Sequence, residues 1–374
     1  MLWVLVMGVN VQRWKEHASA AGEWRFITRH ALLIQSLMES TSMKTAMQSL
    51  VRVLLFAVFL QFTLSSRAQE QQGIPDGQVI RVNVELVQVD VQVLEKKTGR
   101  TVGSLSQEDF QLYEDAVEQH ITELSKDQLP LSVVLLFDLT YSVQPVLKPL
   151  AAGALDALRH LKPEDEVAVM VYAASAHLLQ DFTTDREQAV AAIEKASEME
   201  SGEAAFFNEA VFQASEQLAK AKNPRSRRII IWLTDNVPNI PSEGVHTEKD
   251  AFREVFETGT VISALLERST FSDLAIVAFS KNPMFARSRS HNPPGDVHKY
   301  AESTGGEVLK SSKDKVSAKL AQLIDEIRTR YTVGYYPSVK QPKGKFCEIK
   351  LKIRAETQKR EGGLLVRTKK GYYR

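Results

Sequence analysis

The sequence predicts an α/β protein with a doubly wound, mainly parallel sheet, flanked by small β modules on its N- and C-terminal sides. Three observations support this prediction. Continuous apolar runs such as VVLLFDLT and RRIIIWLTD are typical of strands buried on both faces of a parallel sheet. Helical patterns alternate with these runs over residues 131–328. Stretches with period-two alternation lie on either side, at 79–128 and 329–374.

Each element of the central region has its own local signal, and the carboxyl ends of its parallel strands should form a ligand-binding edge. The predicted strands are Val133–Thr140, Glu166–Ala174, an edge strand at Leu178–Thr183, Arg227–Asp235 and Asp273–Ser280. The predicted helices are Val146–Leu161, Arg186–Glu198 with Asp185 as its N-cap, Phe207–Ala221, Lys249–Glu267, Val297–Ser303 and Asp314–Arg330.

Residues 43–68 have the order and proportions of a secretory signal peptide. Lys44 and Arg52 flank its start, the apolar run Val53–Leu64 follows, and Ser66–Ala68 ends in small residues at the two positions that matter for cleavage. A helix that crosses a bilayer needs about 20 apolar residues. The run is shorter than that, so we expect no stable membrane span after cleavage.

The signal peptide places the mature protein outside the cytoplasm. Because such a peptide belongs at the N-terminus, residues 1–42 are expected to be an upstream extension from a misassigned start codon. We expect the mature chain to start near Gln69 and to be exported to the periplasm or the extracellular space.

Composition excludes several classes of function. The net charge of +1 gives no support to nucleic-acid binding. A cluster at Arg225, Arg227 and Arg228 is expected to be a solvated turn. The single cysteine, Cys347, cannot form an intramolecular disulfide or a thiolate zinc site, and it is expected to be a packed, inert thiol.

No enzyme motif is present. The chain lacks GxSxG, GxxxxGK[ST], HExxH and GxGxxG patterns, and its histidines show no spacing from carboxylates that indicates acid–base catalysis. Asp138 at a strand end is similar to the nucleophile of haloacid-dehalogenase-type phosphatases, but their second aspartate would fall where Thr140 stands. An unrecognised hydrolase is therefore the weakest of the alternatives.

Oxygen-bearing side chains follow two of the predicted buried strands. Asp138, Thr140 and Ser142 follow the first strand, and Asp235 ends a later one at the same edge of the sheet. Carboxylate and hydroxyl oxygens suit a hard cation such as Mg²⁺. Such residues also serve as caps and turn formers, which is the alternative interpretation.

These features resemble a von Willebrand factor A domain. The resemblance rests on the strand followed by Asp138, Thr140 and Ser142, on Thr234-Asp235, and on the β/α alternation. The flanking stretches, VNVELVQVDVQVLE before the domain and RYTVGYYP and RTKKGYYR after it, are similar to exported, acidobacterial-type von Willebrand A-related proteins. The resemblance covers about residues 79–374.

The resemblance implies a metal-ion-dependent adhesion site. In such a site Mg²⁺ or Mn²⁺ keeps an open position for an acidic side chain of a partner protein. Thr140 and Ser142 would be hydroxyl ligands, and Asp138 and Asp235 would act on the metal directly or through water. The chain would then be a non-enzymatic, adhesion-type protein-binding module, and the alternative is a metal-independent scaffolding module.

The sequence also departs from the family pattern. Thr140 stands where the family has serine, and its hydroxyl is kept. The family has a threonine on a middle loop in a pattern like GGTALYDA, whereas SGEAAFFNEA here places alanine there, at Ala204 or Ala205. Three outcomes stay open: a weakened site, a site repaired by Glu203 or Ser201, and a metal-free domain.

Overall fold

A computed structural model describes residues 86–126, 129–202, 204–237, 246–267 and 295–374, all within one compact unit, Asn83–Arg374. The signal peptide, the upstream extension and the predicted strand Asp273–Ser280 lie outside the described residues. Among the described helices, none is both long and apolar enough to cross a membrane.

The described elements follow the predicted order of β-rich, α/β and β-rich segments. The strands are β1 (Val87–Glu95), β2 (Phe110–Glu114), β3 (Val117–Gln119), β4 (Ile121–Ser125), β5 (Leu131–Asp138), β6 (Glu166–Tyr172), β7 (Ala176–Thr183), β8 (Arg227–Thr234), β9 (Val261–Glu267), β10 (Val308–Ser311), β11 (Tyr331–Tyr335), β12 (Phe346–Ile353), β13 (Leu364–Thr368) and β14 (Gly371–Tyr373). The α-helices are α1 (Gln144–Leu158), α2 (Arg186–Glu198), α3 (Phe207–Ala219), α4 (Glu248–Thr258), α5 (Val297–Thr304), α6 (Val316–Arg328) and α7 (Ala355–Arg360).

The central sheet is doubly wound and mainly parallel, which confirms the predicted fold class. Its six strands have the order β10-β9-β8-β5-β6-β7, and β7 is an antiparallel edge strand. All eight residues of β5 are buried. One face of the sheet packs on α1, α2 and α6, and the other packs on α3, α4 and α5. Because both faces are covered, the strands read as continuous apolar runs.

The predicted helix Lys249–Glu267 is wrong in its second half. Helix α4 ends at Thr258, and Gly259 follows with a left-handed φ of +69° and donates its N–H to the carbonyl of Val255. Glycine adopts this conformation at no steric cost and so ends the helix. The chain then enters β9, which pairs with β8 and β10 inside the sheet.

The two β-rich segments combine into one sandwich. Two four-stranded sheets, β13-β1-β11-β4 and β14-β12-β2-β3, each contain strands from before and after the α/β region. Their inner faces share a single hydrophobic core, in which Phe110 and Tyr331 pack edge to face with ring centroids 5.5 Å apart. The predicted bounds of the two β modules, residues 79–128 and 329–374, remain a prediction.

The predicted solvated turn at residues 225–228 is wrong for Arg227. Its side chain is buried, its Nη1 donates to the carbonyl of Ile327 over 3.2 Å, and its Nη2 lies 3.0 Å from Oδ1 of Asp90. Strand β8 therefore begins inside the junction with the sandwich rather than at the surface.

Candidate metal centre

The two predicted site segments lie side by side at the carboxyl edge of the central sheet. Strands β5 and β8 pair in parallel, with Phe137 opposite Leu233. Asp138, the last residue of β5, and Asp235, which follows β8, therefore lie at neighbouring strand ends. After Asp138 the chain turns at once: the Thr140 carbonyl accepts hydrogen bonds from the N–H groups of Val143 and Gln144. Helix α1 begins there, which fixes the loop between strand and helix.

Asp138 is fully buried and is held by hydroxyl and backbone donors. Its Oδ1 accepts the N–H of Thr140 at 2.9 Å, and its Oδ2 accepts the hydroxyls of Tyr172 at 3.0 Å and Thr234 at 2.9 Å. Within the described part of the chain, no basic side chain forms an ion pair with it. Its Oδ2 has both acceptor positions filled, and Oδ1 keeps capacity for another partner.

The electrostatic environment disfavours a second negative charge at this edge. Burial and the charge of Asp235 raise the pKa of Asp138 to about 6, although hydrogen bonds from Thr140 and Thr234 oppose the shift. Burial, together with the Asp138 charge, also raises the pKa of Tyr172 well above its usual value. A cation bound here would relieve this repulsion and stabilise the ionised carboxylates.

Two hydroxyl groups stand beside the carboxylates. Thr140 Oγ1 and Ser142 Oγ are 3.2 Å apart, close enough to share one ligand. Thr140 is nearly buried and Ser142 is half-buried, whereas the intervening Tyr141 is 66% exposed. The alternation along the loop therefore directs both hydroxyls inward and the aromatic ring outward.

Asp235 is fixed by an unusual turn after β8. It is 2% exposed, and its Oδ1 accepts the N–H of Val237 at 3.0 Å. The next residue, Asn236, has a left-handed φ of +55°, which asparagine tolerates better than most residues. The Asn236 Oδ1 accepts the N–H of Val297 at 2.9 Å, so the turn is tied to the first turn of α5.

The loop that precedes α3 passes next to the Asp138 loop but offers no hydroxyl at the family's threonine position. Gly202 donates its N–H to the Leu139 carbonyl at 3.0 Å and forms an isolated parallel bridge with Thr140. Ala204 is half-buried and Ala205 is buried. Of the two predicted replacements, Ser201 is half-buried on this loop, and Glu203 lies outside the described residues.

Sequence reasoning missed Glu267. It ends β9, the strand next to β8, and is 9% exposed. Burial raises its pKa, with Lys313 opposing and the Asp235 charge adding to the shift. Gly259 was the signal in the sequence that could have revealed it. A helix that ends at this glycine leaves Val261–Glu267 as a strand, and Glu267 is then the residue at the strand end beside Asp235.

The donor set at this edge fits a divalent cation that prefers oxygen ligands. It comprises two buried carboxylates and two neighbouring hydroxyls, and such cations take about six oxygens with several from water. Nowhere in the described ranges do three acidic, histidine or cysteine side chains gather closely enough to hold a metal by themselves. A cation here would therefore need oxygen ligands besides the carboxylates, and the hydroxyls of Thr140 and Ser142 are the neighbouring side-chain oxygens that would supply them together with water.

Comparison with known proteins identifies the central region. Residues 133–237 match the family described as the von Willebrand factor type A domain. No curated protein has a matching sequence.

Solved structures resemble the chain at low sequence identity. The conserved hypothetical protein BatB from Bacteroides thetaiotaomicron is 16% identical, with a TM-score of 0.36, over 53% of this chain and 98% of that one. The pilus adhesin SpaC from Lactobacillus rhamnosus GG is 12% identical, with a TM-score of 0.38, over 71% and 47%. Proximal thread matrix protein 1 of the mussel byssus, with a zinc-occupied adhesion motif, is 14% identical, with a TM-score of 0.38, over 59% and 50%.

Proposed function

Since residues 133–237 form a von Willebrand factor type A domain, we propose that the chain is a non-enzymatic protein-binding module with a divalent-cation site at the carboxyl edge of its central sheet. The observation that supports this proposal most is that two buried carboxylates, Asp138 and Asp235, lie at the adjoining carboxyl ends of the parallel strands β5 and β8. Burial, together with the charge of Asp235, raises the pKa of Asp138 to about 6.

Four residues of the chain would hold the cation. Thr140 and Ser142 would supply hydroxyl oxygens, and Asp138 and Asp235 would act directly or through water. When bound, Mg²⁺ or Mn²⁺ would offer an open position to an acidic side chain of a partner protein. The turn before α1, closed by the hydrogen bonds of the Val143 and Gln144 N–H groups to the Thr140 carbonyl, would hold the two hydroxyls in place.

A metal-independent scaffolding role is the second candidate, and two observations favour it. Three hydrogen bonds already satisfy Asp138, and alanine stands where the family has a threonine ligand. Under this alternative the edge is a hydrogen-bonded turn, and partners bind through surface complementarity without a metal.

Calorimetric titration with Mg²⁺ and with Mn²⁺ separates the two candidates. We expect the wild-type chain to bind one ion, and Ser142→Ala to weaken binding at least about tenfold, because a hydroxyl ligand is lost. Ser142 accepts no other hydrogen bond among the described contacts than that with Thr140, so folding should be unaffected. Ser175→Ala, in the exposed turn between β6 and β7, is the matched control and should bind normally.

Two outcomes would favour the scaffold. One is no binding at millimolar Mg²⁺ or Mn²⁺ by the folded wild-type chain. The other is equal binding by the Ser142→Ala and wild-type proteins, which would place any bound ion elsewhere.

We further propose that the protein is exported to the periplasm or the extracellular space. This proposal rests on the signal-peptide pattern at residues 43–68. N-terminal sequencing of the protein recovered outside the cytoplasm should give a start near Gln69. An intact protein that remains in the cytoplasm would contradict it.

A further inference from the structure

Half of the exposed large apolar side chains in the described part of the chain belong to one end of the β-sandwich. There are six such side chains, and among them Val117, Tyr336 and Val339 are 46%, 45% and 48% exposed. Val117 is the first residue of β3. Tyr336 and Val339 belong to the connection between β11 and β12, residues 336–345.

Hydrogen bonds hold this connection beside β3 at points on either side of Val117. The N–H of Ser338 donates to Oε1 of Gln119, two residues after Val117, over 2.9 Å. The side-chain amide of Gln341 donates to Oδ2 of Asp115, two residues before Val117, over 3.2 Å. The three exposed apolar side chains therefore form one group. Single exposed apolar residues need no explanation, whereas a contiguous group marks an interaction site.

The far end of the connection is also bonded to the sandwich. The Nζ of Lys345 lies 2.9 Å from Oδ2 of Asp115. The N–H of Gly344 donates to the carbonyl of Arg374, and the N–H of Arg374 donates to the carbonyl of Lys345 over 3.1 Å. Since both ends of the connection are fixed, the fold itself holds the exposed apolar side chains in water.

The same connection carries an excess of positive charge. Its sequence, YPSVKQPKGK, contains three lysines and no acidic residue. Lys345 pairs with Asp115, whereas Lys340 and Lys343 are exposed and have no ion-pair partner in the described part of the chain. Lysines are depleted at interfaces between proteins. Lysines beside exposed apolar and tyrosine side chains are instead typical of surfaces that bind an anionic bilayer.

We propose that Val117, Tyr336, Val339, Lys340 and Lys343, called here the docking patch, bind the surface of an anionic phospholipid bilayer. The two apolar side chains of the connection would enter the boundary between headgroups and acyl chains, a depth that suits the amphipathic tyrosine ring. The two lysines would contact lipid phosphates, and each should add about fivefold to the affinity. The docking patch shares no residue with the proposed cation site, so either proposal can fail alone.

Tryptophan fluorescence at the docking patch tests this proposal in the full chain. A local probe is needed because the apolar run Val53–Leu64 is itself able to associate with vesicles. In Val339→Trp, the added emission is the difference from the wild-type spectrum. It should shift to the blue with vesicles that contain phosphatidylglycerol, and brominated acyl chains should quench it. With vesicles of phosphatidylcholine alone, the same shift should need at least about tenfold more lipid.

Leu178→Trp is the matched control. Leu178 is 44% exposed on β7, at the edge of the central sheet and outside the sandwich. Its added tryptophan should keep the same emission when vesicles are present. A blue shift at both positions would mean that the chain binds lipid without using the docking patch in particular, and a shift at neither would mean that it does not insert. Either result would overturn the proposal.

Lysine substitutions in the Val339→Trp protein test the contribution of charge. Lys340→Gln combined with Lys343→Gln should raise the lipid concentration at half-maximal shift at least about tenfold. Lys195→Gln combined with Lys310→Gln removes the same charge from exposed positions on α2 and β10. At physiological ionic strength this control pair should change the half-maximal concentration less than about twofold. Equal effects of the two pairs would overturn the proposal.

A contact between two copies of this chain is the alternative use of the docking patch. It would appear as a blue shift of Val339→Trp that grows with protein concentration in the absence of lipid. That result would overturn the bilayer proposal and assign the patch to self-association. An emission that does not change with protein concentration, together with the lipid-dependent shift, supports the bilayer.

Discussion

At the carboxyl edge of the central sheet, Asp138 is held by hydroxyls and a backbone N–H, whereas at the amino edge Asp165 is held by the guanidinium of Arg328. Both carboxylates are fully buried. Asp165 also accepts the N–H groups of Leu131 at 2.8 Å and Lys162 at 2.7 Å. Asp165 thus has its counter-charge within the chain, whereas Asp138 lies close to a second acid, Asp235.

The difference separates a structural role from a binding role. A buried ion pair that is complete within the chain fixes the geometry of the junction, and removing one partner leaves an uncompensated charge. Asp138 forms no such ion pair among the described residues, and under the proposed function a cation from outside would take that place. The comparison predicts that the same substitution has opposite consequences at the two edges.

The largest expected effect is at the amino edge. Asp165→Asn should lower the free energy of unfolding by about 3–5 kcal/mol, because Arg328 loses its counter-charge in a buried site. Denaturant unfolding at pH 7.5 measures this. The control Asp156→Asn breaks an exposed i,i+3 pair with Arg159 and should change stability by less than about 1 kcal/mol. Equal effects of the two variants would contradict the account.

At the carboxyl edge the sign of the pH dependence is reversed relative to an ion-paired acid. The folded protein raises the pKa of Asp138 from 3.8 to about 6, so this group's stabilising contribution is full below pH 4 and is lost as the pH rises through 6. The loss is at most about 3 kcal/mol. We therefore expect that, with a chelator present, the free energy of unfolding falls less for Asp138→Asn than for the wild type when the pH is raised from 4.5 to 7.5. Denaturant unfolding at the two pH values measures this.

Divalent cation should reverse that loss. Mg²⁺ should stabilise the wild-type chain more at pH 7.5 than at pH 5, because a protonated Asp138 is a poor ligand, and Asp138→Asn should show little response at either pH. If the free energy of unfolding of the wild-type protein rises with pH in parallel with that of Asp138→Asn while the chelator is present, Asp138 is ionised in the folded protein without a cation. That result would contradict the account.

A smaller effect tests whether backbone packing positions the carboxyl edge. A Cβ added at Gly202 would lie 2.5 Å from the Cβ of Ala173, so Gly202→Ala must displace the loop that bridges Thr140. We expect a cost of about 1–3 kcal/mol by denaturant unfolding. Gly103→Ala, where an added Cβ meets no atom within 4 Å, is the control and should be near neutral. If Gly202→Ala leaves the free energy of unfolding unchanged, the loop is not held by its close contact with Ala173.

Local sequence signals predicted four of the six described strands of the central sheet, β5, β6, β7 and β8, and the two aspartates at its edge. Strands buried on both faces read as apolar runs, and their ends are visible where the first polar residue follows, as at Asp138 and Asp235. The same logic failed at Glu267, because the amphipathic pattern of α4 hid the break at Gly259.

Contacts between distant segments could not be predicted from local signals. Strand β1 pairs with β11, with Val87 opposite Tyr335, and no local pattern specifies such a partner. Asp165 and Arg328 are 163 residues apart, and neither has a distinctive neighbourhood in the sequence. The ion pair between Asp165 and Arg328 therefore emerged only from the structure.

The most direct test of the cation site is a crystal structure of the chain grown with Mn²⁺, with anomalous scattering used to identify the ion. The account predicts one anomalous peak between Asp138, Ser142 and Asp235, with Thr140 in contact. A well-ordered edge in crystals containing millimolar Mn²⁺, with no peak there and the Asp138 hydrogen bonds to Tyr172 and Thr234 intact, would contradict it.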